Sequence, residues 1–130
     1  MTVDAAYLRL MALSYLLTVA IETPVLLIGL SRPHSWKVRL AAGIGLTACT
    51  YPLLWFVLPQ VISLREHGGL FLAVGETLVS VVECAIFFVV FERGRGFGQR
   101  VLVRDWITIV VANLASFGLG EVIHVLWPNM

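Results

Sequence analysis

Five ionisable side chains lie inside long apolar runs of this sequence: Glu22, Glu76, Glu83, Glu121 and His124. An acidic residue at the centre of a membrane-spanning helix costs about 2.5 to 3.5 kcal/mol on insertion scales. No Lys or Arg lies at a comparable depth to pair with them. Each carboxyl group must therefore carry a proton, accept hydrogen bonds, contact water or bind a cation. The sequence thus indicates the chemistry of protons or cations.

Small polar residues accompany these carboxyl groups at helical spacing. Residues three or four positions apart share one face of a helix, so each set forms a polar stripe opposite a wall of Leu, Val, Ile and Phe. Packing between helices also uses such residues, but it does not explain the carboxyl groups. The stripes are Ser14, Thr18 and Glu22; Glu76, Ser80 and Glu83; and Asn113, Ser116, Gly120 and His124.

Three of these polar residues lie in the half of the membrane that we place nearer the cytoplasm, and they predict a proton or cation relay. At a rise of about 1.5 Å per residue, Glu22, Glu83 and Asn113 fall at one depth. Two carboxyl groups that meet in a low dielectric share a proton readily. We assign Thr18 and Tyr51 to the same relay, because both can form hydrogen bonds to these groups from mid-membrane.

The ionisable residues in the opposite half of the membrane, nearer the outer side, have the composition of a divalent metal site. Glu121 and His124 stand three positions apart on one helix face, and Glu76 falls in the same half of the membrane. Two carboxylates and an imidazole suit Zn, Mn or Fe better than Mg. The sequence therefore gives Glu76, Glu121 and His124 as candidate ligands of such an ion.

Further polar and aromatic residues line a predicted ligand pocket. We assign Trp55, Ser80 and Ser116 to it, although core packing also accounts for an aromatic residue inside a helix. Pro24 follows Glu22 closely and removes a hydrogen bond from the carbonyl of Ala20, which kinks the helix or frees that carbonyl as a ligand.

The elements that carry these residues are four apolar runs. Hydrophobic residues make up 59% of the 130 residues and charged residues 13%, which lies outside the range of soluble domains. A span of about 20 helical residues crosses the hydrocarbon core. The sequence therefore predicts an all-α, polytopic membrane protein, a single four-helix transmembrane domain over residues 1–130 with short loops. The helices are predicted at about 7–30, 40–62, 69–91 and 106–127.

Positive charge is unevenly distributed between the predicted loops. Only Arg9 and Arg65 lie on the side opposite to loops 31–39 and 92–105, which carry the other seven of the nine Lys and Arg residues. The positive-inside rule places these two loops in the cytoplasm and both termini on the outer side. We expect a bacterial or archaeal cytoplasmic membrane.

A short internal sequence repeat indicates two parallel two-helix units. Glu22 and Thr23 in the first run resemble Glu76 and Thr77 in the third, and each pair precedes a basic loop and another helix. Such duplication is common in membrane transporters.

Three functions remain open on this sequence. The first is a small transporter or channel-like protein, assembled as a homodimer or larger homo-oligomer, that moves protons or a cation through its buried carboxyl groups. The second is an intramembrane, metal-dependent enzyme acting on a lipid-like substrate. The third is an accessory subunit that pairs with a basic helix of a partner subunit. A nucleic-acid partner is excluded by the lack of a basic stripe, and Cys49 and Cys84 form no recognisable metal or disulfide motif.

Overall fold

Four long helices form the structure, a computed structural model that describes residues 4–62 and 66–128, without the side chain of His124. Arg65 lies outside the described residues. All four helices are long and apolar enough to cross a membrane, which agrees with the all-α prediction. They are α1 (Ala5–Gly29), α2 (Trp36–Val61), α3 (Gly68–Glu92) and α4 (Gln99–Leu126).

Local signals set the ends of these helices. The carboxylate of Asp4 accepts a hydrogen bond from the backbone N–H of Tyr7 at 2.8 Å, and thereby caps α1. The hydroxyl of Ser35 caps α2 in the same way, since such oxygens satisfy the free N–H groups of a first turn. Between α3 and α4 the chain turns through Gly94 and Gly96, whose φ angles of 74° and 71° favour glycine.

Two helices begin earlier than the apolar runs predicted, α2 at Trp36 rather than 40 and α4 at Gln99 rather than 106. Their first turns are charged, so hydropathy does not identify them as helix. Arg39 donates to the carbonyl of Leu27, and Arg104 donates to the carbonyl of Gly29 at 2.9 Å. These arginines thus satisfy the carbonyl groups at the end of α1, and the helical turns that carry them belong to the bundle.

The helices are arranged as a ring in which each packs against the next and α4 closes against α1. The connections 30–35 and 93–98 lie at one end, which we call the basic end because most of the Lys and Arg residues flank them. Outward-facing side chains are largely apolar, as Leu16 at 61% and Ile28 at 80% exposure illustrate. The interior holds polar residues, the reverse of a soluble bundle.

An apolar layer crosses the bundle between its middle and the basic end. Its members include Leu26, Leu30, Phe87 and Ile109, each at most 2% exposed. Since a helix rises about 1.5 Å per residue, this layer separates the level of Glu22 from the basic end. Buried polar residues lie on both sides of this layer, with Glu22 and Glu83 at the middle of the bundle and His34 and Asp105 at the basic end.

Close approach of α1 and α2 depends on Gly43. A Cβ atom at this position would overlap the hydroxyl and Cβ of Thr23. Gly43→Ala is therefore expected to force the helices apart and lower the free energy of unfolding by about 1 to 3 kcal/mol. Reversible unfolding in mixed micelles measures this change. Gly45→Ala is the matched control, because its Cβ would meet nothing within 4 Å; equal losses in the two variants would contradict the packing described.

Candidate functional site

Glu22 on α1 is buried at 2% exposure at the centre of the bundle. Its carboxyl oxygens accept hydrogen bonds from two other helices. Thr47 Oγ1 on α2 donates to Oε2 at 3.1 Å, and Ser116 Oγ on α4 donates to Oε1 at 2.7 Å. Both oxygens of this buried group therefore have a hydroxyl partner, as a polar group in an apolar interior requires.

Glu83 on α3 has a matching environment, also at 2% exposure. Thr50 Oγ1 on α2 donates to its Oε1 at 3.0 Å, and Asn113 Nδ2 on α4 donates to its Oε2 at 2.9 Å. Each carboxyl group is thus held by one donor from α2 and one from α4. The two acidic residues lie on opposite helices of the ring and face the same centre.

The hydrogen bonds of the two glutamates are related by a pseudo-two-fold pattern. Exchanging α1 with α3 and α2 with α4 exchanges Glu22 with Glu83, Thr47 with Asn113 and Thr50 with Ser116. The contacts therefore agree with two related two-helix units. They pair Glu22 with Glu83, whereas the sequence repeat had matched Glu22 to Glu76.

The hydroxyl donors each have a second acceptor on their own helix. Thr47 Oγ1 lies 3.3 Å from the carbonyl of Gly43, and Ser116 Oγ lies 3.0 Å from the carbonyl of Asn113. A hydroxyl has one proton and can rotate. It donates to an ionised carboxylate, or donates to the helix carbonyl and accepts from a protonated carboxyl group. The site can therefore satisfy its hydrogen bonds in both protonation states.

A cavity of about 80 Å³ lies between these residues, and we call it the acidic cavity. This volume has room for a few water molecules. Of the described side chains around it, none is Lys, Arg or His. The polar ones are Thr18, Glu22, Thr47, Thr50, Tyr51, Glu76, Glu83, Asn113 and Ser116, and the apolar ones are Leu54, Val79 and Phe117.

The structure brings together all five residues assigned to the relay, since Glu22, Glu83, Asn113, Thr18 and Tyr51 line the acidic cavity. Thr18 Oγ1 and the Tyr51 hydroxyl are hydrogen-bonded at 2.9 Å. From the predicted ligand pocket, Ser116 lines this cavity too. Trp55 and Ser80 are not among its lining residues, and the backbone carbonyl of Trp55 accepts from Tyr7 instead.

The residues predicted as metal ligands are not gathered around the acidic cavity. Glu76 lines it, but Glu121 is exposed on the surface of α4. The side chain of His124 lies outside the described part of the chain. Pro24 is exposed on α1, which continues through it to Gly29. The metal role of Glu76, Glu121 and His124 thus stays a prediction.

A second polar group lies at the basic end, and we call His34, Glu92 and Asp105 the basic-end cluster. His34 Nε2 lies 2.8 Å from Asp105 Oδ2 and 3.6 Å from Glu92 Oε2. Ser31 donates its backbone N–H to Asp105 Oδ1 at 2.7 Å and its hydroxyl to Oδ2 at 2.9 Å. The side chains of the three cluster members are at most 3% exposed.

Sequence reasoning missed this cluster because its members fell in segments taken as loops. Asp105 belongs to the charged first turns of α4. Glu92 is the last residue of a π-helical stretch, Phe88–Glu92, which adds one residue to the turn. The buried positions of α3 therefore run Glu83, Phe87 and Glu92, spaced four and then five apart. The signal in the sequence was the presence of two acids and a histidine beside the apolar runs.

The chain matches no protein-family model, no curated protein and no solved structure. Its function must therefore be inferred from the contacts of its own residues.

Replacing Asn113 tests the hydrogen bonds of the acidic cavity. Asn113→Leu leaves Glu83 Oε2 without its donor, so the free energy of unfolding should fall by about 1 to 3 kcal/mol. Adding Glu83→Met, which removes the acceptor as well, should recover most of that loss. Reversible unfolding in mixed micelles measures the cycle.

Thr77→Val is the matched control for this cycle, because Thr77 is exposed and donates at 2.8 Å to the carbonyl of Ala73 on its own helix. Strict additivity of Asn113→Leu and Glu83→Met would show that the two side chains are not coupled.

Proposed function

We propose that the protein is an integral membrane transporter or channel-like protein whose acidic cavity binds and releases protons or a small cation. In this proposal α1 to α4 span the membrane with the basic end in the cytoplasm, as the positive-inside rule requires. The predicted homo-oligomer forms part of the proposal, because one bundle encloses so little volume.

The observation that carries the proposal is the convergence of three carboxyl groups on one cavity without a neighbouring base. Glu22, Glu76 and Glu83 line the same 80 Å³. Ionised together in an apolar bundle, they would repel each other and lack the solvation that water gives. Bound protons or a bound cation remove this cost. The oxygen-rich surroundings of hydroxyl and carboxyl groups suit a proton or another hard cation.

The rotatable hydroxyl groups support release as well as binding. Thr47, Thr50 and Ser116 each have a helix carbonyl as an alternative acceptor. Loss of a proton from Glu22 or Glu83 therefore leaves no hydrogen bond unmade. A site that is satisfied in both states has a smaller energy difference between them than one built for a single state.

The two ends of the acidic cavity differ, because one continues to Glu76 and the other is closed by apolar side chains. Glu76 stands seven residues from Glu83 on α3, about 10 Å further from the basic end. Towards the basic end, Leu26, Phe87 and Ile109 close the bundle. In the proposed orientation, ions enter from the outer side through Glu76, and passage to the cytoplasm requires the apolar layer to part.

Two observations favour this proposal over the alternatives. The acidic cavity, at about 80 Å³, is too small for a lipid-like substrate, which needs several hundred Å³. The larger surface grooves, of about 570 and 310 Å³, contain none of the buried carboxyl groups that the structure describes. An accessory subunit that pairs with a basic partner helix would present its acids on an outer face. Glu22 and Glu83 are instead buried and hydrogen-bonded within the chain, and of the four glutamates placed in the predicted spans Glu121 alone is exposed.

Ion flux into proteoliposomes tests the function. Purified protein is reconstituted with a pH-sensitive dye or a dye for the imposed cation inside, and gradients of pH, Na⁺, K⁺ or a divalent cation are imposed. Glu22→Gln and Glu83→Gln should each reduce the protein-dependent flux at least about tenfold, because an amide neither ionises nor exchanges a proton. The control is Glu66→Gln, which makes the same change at an exposed residue before α3 and should retain the flux.

Wild-type protein that dissipates none of these gradients, or a flux that survives both cavity substitutions, would refute the proposal. Folding of each variant is checked by helical circular dichroism and by elution as a single species.

A further inference from the structure

Glu92 in the basic-end cluster is a buried carboxyl group whose oxygens make no well-aligned hydrogen bond. Its side chain is 0% exposed. Neither Oε1 nor Oε2 has a partner at good hydrogen-bond geometry among the described residues, although the side chains of Asp105 and Trp106 lie beside them. A buried polar group left unpaired costs about 1 to 3 kcal/mol, and more if it is charged. Such a group in a folded protein indicates a partner that the protein atoms do not supply.

Among the described residues, no arginine forms an ion pair with the cluster. Arg39 donates to the backbone carbonyls of His34, Ser31 and Leu27, and Arg104 donates to the carbonyl of Gly29. These guanidinium groups are therefore engaged with the backbone. Two carboxyl groups and one imidazole remain together in a buried space.

The distances within the cluster fit the ligands of a metal ion. One ligand atom from each of His34, Glu92 and Asp105 lies within 4.8 Å of the other two. Tetrahedral ligands bound at about 2.0 Å to Zn²⁺ lie about 3.3 Å from one another. The 3.6 Å between His34 Nε2 and Glu92 Oε2 is close to this value. His34 Nε2 and Asp105 Oδ2 are hydrogen-bonded at 2.8 Å, so a bound ion would replace this hydrogen bond and move the two atoms apart by about 0.5 Å.

We propose that His34, Glu92 and Asp105 bind a divalent first-row transition metal ion, with Zn²⁺ as the best fit. Its charge balances the two carboxylates, and it gives Glu92 the partner that the described residues lack. An imidazole ligand disfavours Mg²⁺ and Ca²⁺. This site differs from the predicted set of Glu76, Glu121 and His124, and does not depend on the proposed ion pathway.

The surroundings hold the ligands in position. Ser31 fixes both oxygens of Asp105 by its N–H and its hydroxyl. The ring of His34 packs edge-on against Phe87 and Phe97, with ring centres 5.0 and 5.4 Å away. Outer contacts of this kind orient metal ligands and raise their affinity. The ion joins the connection 30–35 to the end of α3 and to α4.

Zn²⁺ binding to the full chain in detergent tests the proposal. After removal of metal with a chelator, titration calorimetry should give about one bound Zn²⁺ per chain, and Zn²⁺ should raise the midpoint of thermal unfolding. Glu92→Gln and His34→Asn should each weaken binding more than about tenfold, and Ser31→Ala should weaken it about tenfold. X-ray absorption should show N and O neighbours at about 2.0 to 2.1 Å, with the histidine signal lost in His34→Asn.

Two controls locate the ion. His67→Asn changes an exposed histidine at the other end of the bundle, and Glu22→Gln changes the acidic cavity; both should retain binding. Absence of stoichiometric Zn²⁺, unchanged affinity in Glu92→Gln, or loss in Glu22→Gln instead would overturn the assignment. Glu92→Gln keeps the shape of the side chain, so it decides the matter even if His34→Asn does not fold. Failure of ion flux would leave this result unaffected.

Discussion

Burial of carboxyl groups in an apolar bundle is the constraint on which the arrangement of the four helices depends. Glu22 and Glu83 each need two hydrogen-bond donors, and their own helices supply neither. The donors come from α2 and α4, which must therefore be rotated and shifted along their axes to within a few tenths of an ångström. Apolar side chains tolerate many packings of similar energy, whereas an unpaired buried carboxyl group does not. The polar centre thus selects one packing of otherwise similar helices.

The sequence predicts which residues share a helix face and a depth at the acidic cavity, because helices have a fixed rise and period. Glu22, Glu83 and Asn113 meet at one level, as their positions along the apolar runs indicate. The choice of Thr47, Thr50 and Ser116 as donors could not be read, since it depends on the order of the helices around the ring. Helical spacing alone also does not say which side of α4 faces inwards, and Glu121 is exposed on that helix.

The basic-end cluster could not be predicted from the sequence, because charged residues at the starts of α2 and α4 were taken as loop. Hydropathy ends a span where charges begin, yet α2 and α4 continue as helices because Arg39 and Arg104 bind carbonyls of α1. Asp105 thereby becomes a helical residue that points into the bundle. His34 reaches it from the connection 30–35, where Ser31 and His34 are joined by a backbone hydrogen bond of 3.2 Å. The basic-end cluster is formed by contacts between segments that are distant in sequence, and the helical period of the sequence does not predict such contacts.

The π-helical stretch Phe88–Glu92 accommodates one residue more than a regular helix would. Each residue of an α-helix turns the chain by about 100°. Five residues of regular α-helix turn the chain by about 500°, which would place Glu92 about 140° around α3 from the face of Phe87. The wider π-helical turn returns Glu92 to that face, towards His34 and Asp105. The stretch changes the direction only of residues that follow Phe87, so one wide turn orients Glu92 towards the basic-end cluster while Glu83 keeps its place in a regular helix at the acidic cavity.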